Sequence, residues 1–170
     1  MTTKRVVVVP YDAAWARDFE RIASELRPAL GDLALAIEHV GSTSVKGLAA
    51  KPIIDIDVVI EDPSRLDAAI AALAVVGYRH EGDLGISGRE AFKYEGKDHL
   101  PRHHLYVCPR DSAELRRHLA FRDYLRAHPE AAREYGRIKA EGAALYPEDI
   151  EGYIAHKGPF IERIYREAGI

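Results

Sequence analysis

Two aspartates, Asp55 and Asp57, interrupt the most apolar run of the chain, Ile53–Ile60. In a strand, residues i and i+2 share a face and stand about 6.5–7 Å apart. Two carboxylates at that spacing repel by roughly 2–3 kcal/mol at an effective dielectric of about 20. Water, a basic partner, a raised pKa or a metal must offset this, and carboxylate oxygens suit Mg2+ or Mn2+ rather than zinc. Alone, the pair also suits two solvated carboxylates. Just upstream stands Gly41-Ser42-Thr43-Ser44, a glycine and three hydroxyls. At a helix start such a segment offers N–H and O–H donors to an anion, or supplies an ordinary N-cap. Together, a phosphate cradle and a carboxylate pair are the two halves of a metal–nucleotide site. The G-x-x-x-x-G-K-[ST] loop is absent, which excludes that class of NTPase.

Lys51, Arg89, Lys93 and Arg102 fall around this predicted site and would neutralise phosphates. Tyr153 and Lys157 lie one helical turn apart, on a face that would close over a nucleotide or simply pack, with the lysine stem on apolar surface. His104 and Tyr106 share one face of a strand at His103–Cys108, and a neutral His104 would serve as base or metal ligand. His99, His103 and His104 lack the cysteine partners and the helical i, i+4 spacing of zinc sites. The charges of the 117–137 segment alternate in sign and read as solvated helix faces. Cys108 reads as an inert buried thiol.

The elements that must position these groups follow from pattern. Residues 4–9 read as a β-branched strand, and Asp12 caps a helix with Trp15, Phe19, Ile22, Leu26 and Leu30 on one stripe, ending at Gly31. Strands follow at Leu35–Val40 and Ile53–Ile60, the latter covered on both faces, with a loop opening a short helix between them. Asp62-Pro63 starts a second helix, with Gly77 past its end. Strands at Tyr78–Glu81, Glu90–Glu95 and His103–Cys108 come next, the last two as an antiparallel pair. Three helices fill the remainder, Ser112 to His128, Glu130 to Leu145, and Glu148 onward. The expected fold is α/β (α+β): a twisted mixed sheet flanked by helices over residues 1–110, then a helical extension over 111–170, as a single domain.

Composition narrows the function. With 24 basic and 27 acidic residues the net charge is −3, so the chain lacks the basic footprint of a double-stranded nucleic-acid binder. One cysteine precludes an internal disulfide and suits a reducing cytoplasm. The run Val6–Val9 is too short to span a membrane.

Gly41-Ser42, a short helix and Asp55-x-Asp57 resemble the signature of the DNA-polymerase-β-like nucleotidyltransferase superfamily. Tyr11-Asp-x-x-Trp15, HVGSTSVKGLAAKPIIDIDV, HHLYV at 103–107, FRDYLRAHPEAAREYGRIK at 121–139 and Tyr153-x-x-x-Lys157 are similar to the GrpB-like (UPF0157) family over nearly the whole chain. The resemblance implies that Asp55 and Asp57 bind Mg2+ ions bridging an NTP and its acceptor, and that Gly41 and Ser42 hold phosphates. It also implies a third carboxylate on the neighbouring strand, where this chain has His104 and Tyr106. His104 would then act as base, or Glu90 or Glu95 would supply the acid. The expected function is nucleotidyl transfer from an NTP to a hydroxyl or phosphate acceptor. The alternatives are a nucleotide- or phosphometabolite-binding module without turnover, and an interaction or folding-accessory protein.

Overall fold

Asp12 accepts the Ala14 amide through Oδ1 at 2.8 Å and opens helix α1, Ala14–Leu30. The expected stripe from Trp15 to Leu30 is its buried face, and Gly31 ends it at φ +53°. The computed structural model describes residues 5–170.

Five strands form one mixed sheet: β1 (Ala36–Val40), β2 (Ile54–Ile60), β3 (Tyr78–Gly82), β4 (Glu90–Tyr94) and β5 (His103–Pro109), in the order β1-β2-β5-β4-β3. β2 and β5 run parallel and every other neighbour is antiparallel. Helix α2 (Leu66–Val75) follows a turn in which Asp62 accepts the Ser64 amide at 2.8 Å. It packs with α1 on one sheet face, over Ile54, Ile56, Val58, Leu105 and Val107.

Helices α3 (Ala113–Ala127), α4 (Pro129–Leu145) and α5 (Ile150–Glu167) lie on the other side. Ser112 caps α3 by accepting the Leu115 amide at 3.2 Å. Leu115 then packs on Val59 and Cys108. Leu125, Tyr135, Phe160 and Ile164 close around Val45 and Leu48 of the β1–β2 connection, with Tyr135 and Phe160 stacked at 4.9 Å. The helical extension therefore roofs the face that carries Asp55 and Asp57. No helix among the described residues is long and apolar enough to cross a membrane.

One expected strand fails. Lys4 lies outside the described residues, and of the remaining valine-rich run only Val9 forms a β-bridge, with Ala50. The Val6 amide goes to the Pro147 carbonyl at 2.8 Å, so the run ties the α4–α5 connection down. β-propensity yields here to tertiary partners.

Two buried histidines are structural. Tyr78 donates its hydroxyl to His103 Nε2, and His103 Nδ1 donates to the Pro101 carbonyl, both at 2.7 Å. His39 stacks on Phe19 at 4.8 Å and pairs with Thr43 Oγ1 at 2.9 Å. Burial first, then the Arg126 charge, pulls the His39 pKa down to about 4. Below the ordinary pKa of about 6.5 the unfolded chain binds the proton first, so stability falls as pH drops from there toward 4, by up to about 3 kcal/mol. Urea unfolding across that range is expected to show this slope and to lose it in His39→Gln; equal slopes would remove His39 as the source.

Candidate functional site

Period-two alternation in β2 turns Asp55 and Asp57 to the face opposite α1 and α2. Asp57 is 0% exposed. His118 of α3 donates Nδ1–H to its Oδ2 at 2.6 Å, while Oδ1 is buried with no hydrogen-bond partner. Asp55 Oδ1 lies 3.0 Å from Nδ1 of His104, its register partner on β5. A Cβ at Gly41 would collide with Asp55 Oδ2 and stand 3.1 Å from its Cβ. Gly41, at φ +73°, thus makes the turn and admits backbone against the carboxylate. Burial would lower the His118 pKa, but the hydrogen bond and charge of Asp57 and the charge of Glu114 outweigh it and leave the pKa raised.

Asp55 stands between two cavities. The first, of about 110 Å³, is lined by Ser42, Thr43, Lys51, His104, Lys139, Tyr153 and Lys157, with Asp55 at its wall. Lys139 is 2% exposed, and its Nζ is buried without a hydrogen bond, 4.5 Å from the Tyr135 ring centre. Burial, then the charge of Lys157, lowers its pKa to about 7, with Asp55 opposing and Lys51 adding. Burial and Lys51 lower Lys157 as well. Lys51 and Lys157 sit 5.0 and 4.9 Å from the Tyr153 ring centre.

The second cavity, of about 230 Å³, is lined by Val40, Gly41, Asp55, Arg89, Tyr106 and His118. The Arg89 guanidinium lies 4.2 Å over the Tyr106 ring.

The structure thus gathers Asp55, Ser42, Thr43, Lys51, His104, Tyr153 and Lys157 at one cavity, and Gly41 and Arg89 at the other. Ser44 turns away: its hydroxyl donates to the Gly41 carbonyl at 2.5 Å and its carbonyl accepts Arg126 at 2.8 and 3.0 Å. Lys93 is exposed, and it lines neither cavity. Arg102 lies by Tyr94 and Lys97. Both depart from the sequence expectation, and neither lines a cavity with Asp55: Lys93 pairs in register with Arg79 of the edge strand β3, away from β2. Glu90 is paired in register with Val107, which puts it on the opposite sheet face, and Glu95 binds Arg79 at 2.9 Å on the surface. Neither supplies the missing acid. Glu38 stands opposite Asp57 on β1, where Arg122 holds it at 2.7 Å. Residues 42–44 form one 3-10 turn, too short for a helix-dipole anion site. Three lysines, Lys51, Lys139 and Lys157, line the cavity there.

Sequence reasoning missed His118, Arg122 and Arg126, all in the 117–137 segment taken for solvated helix faces, and Lys139 just beyond it. For Lys139 a signal existed. It continues the buried stripe Ala131, Ala132, Tyr135 and Gly142 of α4, where a lysine is out of place.

The comparisons with known proteins bear on the family and the fold. A family model described as "GrpB protein" matches residues 5–167. The chain is 35% identical over 159 residues to the UPF0157 protein YqkA of Bacillus subtilis, covering 94% of this chain and 46% of that protein, so it spans less than half of YqkA. The crystal structure of the conserved protein GrpB from Enterococcus faecalis superposes with a TM-score of 0.83 at 39% identity, over 95% of this chain and 96% of that one. Cid1, solved in complex with its short product ApU, matches 76% of this chain and 40% of its own at a TM-score of 0.53 and 12% identity, a likeness of fold. With a family model spanning its described core and tail alike, the chain belongs to the GrpB (UPF0157) family, built on a nucleotidyltransferase-type fold.

Proposed function

We propose that the protein is a metal-dependent nucleotidyltransferase, moving a nucleotidyl group from an NTP to a small-molecule hydroxyl or phosphate acceptor. The observation that carries this reading is the convergence of Lys51, Lys139 and Lys157 beside Asp55. A buried, unpaired ammonium among like charges destabilises the free protein, and a polyphosphate offsets that cost. Ser42 adds a hydroxyl to the same wall, while that of Thr43 pairs with His39.

Asp55 and Asp57 would hold Mg2+ or Mn2+. Asp57 Oδ1 is an orphaned buried oxygen, and among the described residues no third acid, histidine or cysteine joins to make a full protein cage. Two carboxylates completed by phosphate and water are the set Mg2+ favours. When bound, the cation would neutralise charge developing on the phosphoryl oxygens. His118 keeps Asp57 Oδ2 engaged and leaves Oδ1 to the ligand. His104, donating Nδ1–H to Asp55, would present Nε2 to the proton of a hydroxyl acceptor. A reducing cytoplasm suits the buried thiol Cys108.

His104 and Tyr106 in place of an acid on β5 favour one second reading, a nucleotide-binding module without turnover. Thermal and urea unfolding with Mg2+ and each NTP tests both. Binding at 100-fold excess over Kd is expected to stabilise by about 2.7 kcal/mol, and pyrophosphate release with a pool of hydroxyl and phosphate acceptors then marks a transferase. No shift with any NTP would sink both readings; a shift without pyrophosphate would leave the binding module. If hydroxyl acceptors turn over, His104→Ala is expected to slow them by about a hundredfold or more, and an unchanged rate would remove it as base.

A further inference from the structure

Arg89 is placed deliberately. The Gly88 carbonyl accepts the Ser112 hydroxyl at 2.7 Å, and Gly88 itself stands at φ +86°. Glu90 then begins β4 facing away from the aspartates, so alternation sends Arg89 to their side. There its guanidinium rests on Tyr106 while Nε is buried with no hydrogen-bond partner. Among the described residues no carboxylate pairs with it. An oriented guanidinium at a cavity wall, with an unmet donor, lacks an anion. Its planar fork matches the oxygens of a phosphate.

The position of this cavity says which anion it serves. Asp55 lines both cavities, so molecules in the two meet at one carboxylate. If the lysine side takes the triphosphate, the Arg89 side takes the acceptor. His104 lines the lysine cavity and not this one. His118, which does line it, donates Nδ1–H to Asp57 and faces Glu114 Oε2 with Nε2 at 3.4 Å. A hydroxyl acceptor seated at Arg89 therefore finds no uncommitted imidazole to take its proton.

We propose that the cavity of Arg89, Tyr106 and His118 is the acceptor site, and that the acceptor is a phosphate monoester. The inference rests on the nucleotidyl-transfer reading and names its second substrate. The monoester arrives as an anion and needs no base. One of its phosphate oxygens forms a bond to the α-phosphorus of the NTP, and the bond from that phosphorus to the α–β bridging oxygen breaks. Pyrophosphate departs with the electron pair. No proton is abstracted and nothing is oxidised, and the product carries a new P–O–P linkage. Histidine and tyrosine where an acid was expected on β5 then cease to be a defect.

Calorimetric titration of phenyl phosphate into the full chain, saturated beforehand with Mg2+ and inorganic tripolyphosphate, tests this. One phenyl phosphate is expected to bind per chain, and phenol is expected not to bind. Arg89→Gln should weaken phenyl phosphate by about tenfold or more and leave tripolyphosphate affinity unchanged. Arg89→Lys, which keeps charge without the fork, should fall between. Lys139→Met should show the reverse pattern. Exclusion of phenyl phosphate by tripolyphosphate would overturn the proposal, and so would equal binding by wild type and Arg89→Gln. A loss of stability in Arg89→Gln with unchanged phosphate affinity would make Arg89 a counter-ion of the aspartates, and would overturn it too. Failure of tripolyphosphate to bind wild type instead strikes the transferase reading, and appears separately from the Arg89 result.

Discussion

Asp57→Asn is expected to lower metal-dependent pyrophosphate release by about a thousandfold or more while the fold persists. The side chain is 0% exposed, yet only one of its oxygens is engaged, by His118. A buried anion with an orphaned oxygen is costly in the free protein, so its retention is best explained by a ligand. An amide in its place removes the charge a cation requires and keeps a carbonyl for His118. Mn2+ titration followed by electron paramagnetic resonance should show a matching loss of affinity, and urea unfolding should show stability held or raised. If the variant unfolds, the Asp57–His118 bond is structural. If turnover stays within tenfold of wild type, Asp57 holds no metal.

Lys139→Met is expected to weaken tripolyphosphate by about a hundredfold and to stabilise the free protein by about 2–4 kcal/mol at neutral pH. The opposition of sign is the test, since a lysine retained for packing would cost stability when removed. The pH dependence follows from linkage. With a folded pKa near 7 and an unfolded one of about 10.4, the unfolded chain binds more protons between those values. Stability of the wild type must then rise with pH across that window, a rise the methionine variant lacks. Tripolyphosphate favours the charged ammonium, so its binding at pH 8 should take up a proton, visible as a dependence of heat on buffer ionisation enthalpy. Absence of both the rise and the uptake would remove Lys139 from the phosphate site.

Local patterns carried much of this structure. The Trp15–Leu30 stripe, the Asp62-Pro63 start and the apolar run around Asp55 announced α1, α2 and β2, because each depends on near neighbours in sequence. The carboxylate pair and the glycine beside it were legible for the same reason. What pattern did not reveal was set by long-range packing. Val6–Val9 has a strand's composition, but its partners, Ala50 and Pro147, are distant in sequence. Arg102 precedes β5 as Lys51 precedes β2, yet only Lys51 reaches the cavity. His118 and Lys139 sit among charges that look solvated until the helices fold back over the sheet.

That fold-back would couple a bound ligand to architecture. Lys51 precedes β2, Lys139 belongs to α4 and Lys157 to α5, so a polyphosphate bound among them would act as a clasp between sheet and tail. Tail docking and phosphate affinity would then be a single equilibrium. Loosening the Tyr135–Phe160 stack would lower affinity without touching any ligand contact. A bound triphosphate would in turn slow amide hydrogen exchange along α4 and α5, far beyond the three side chains that grip it.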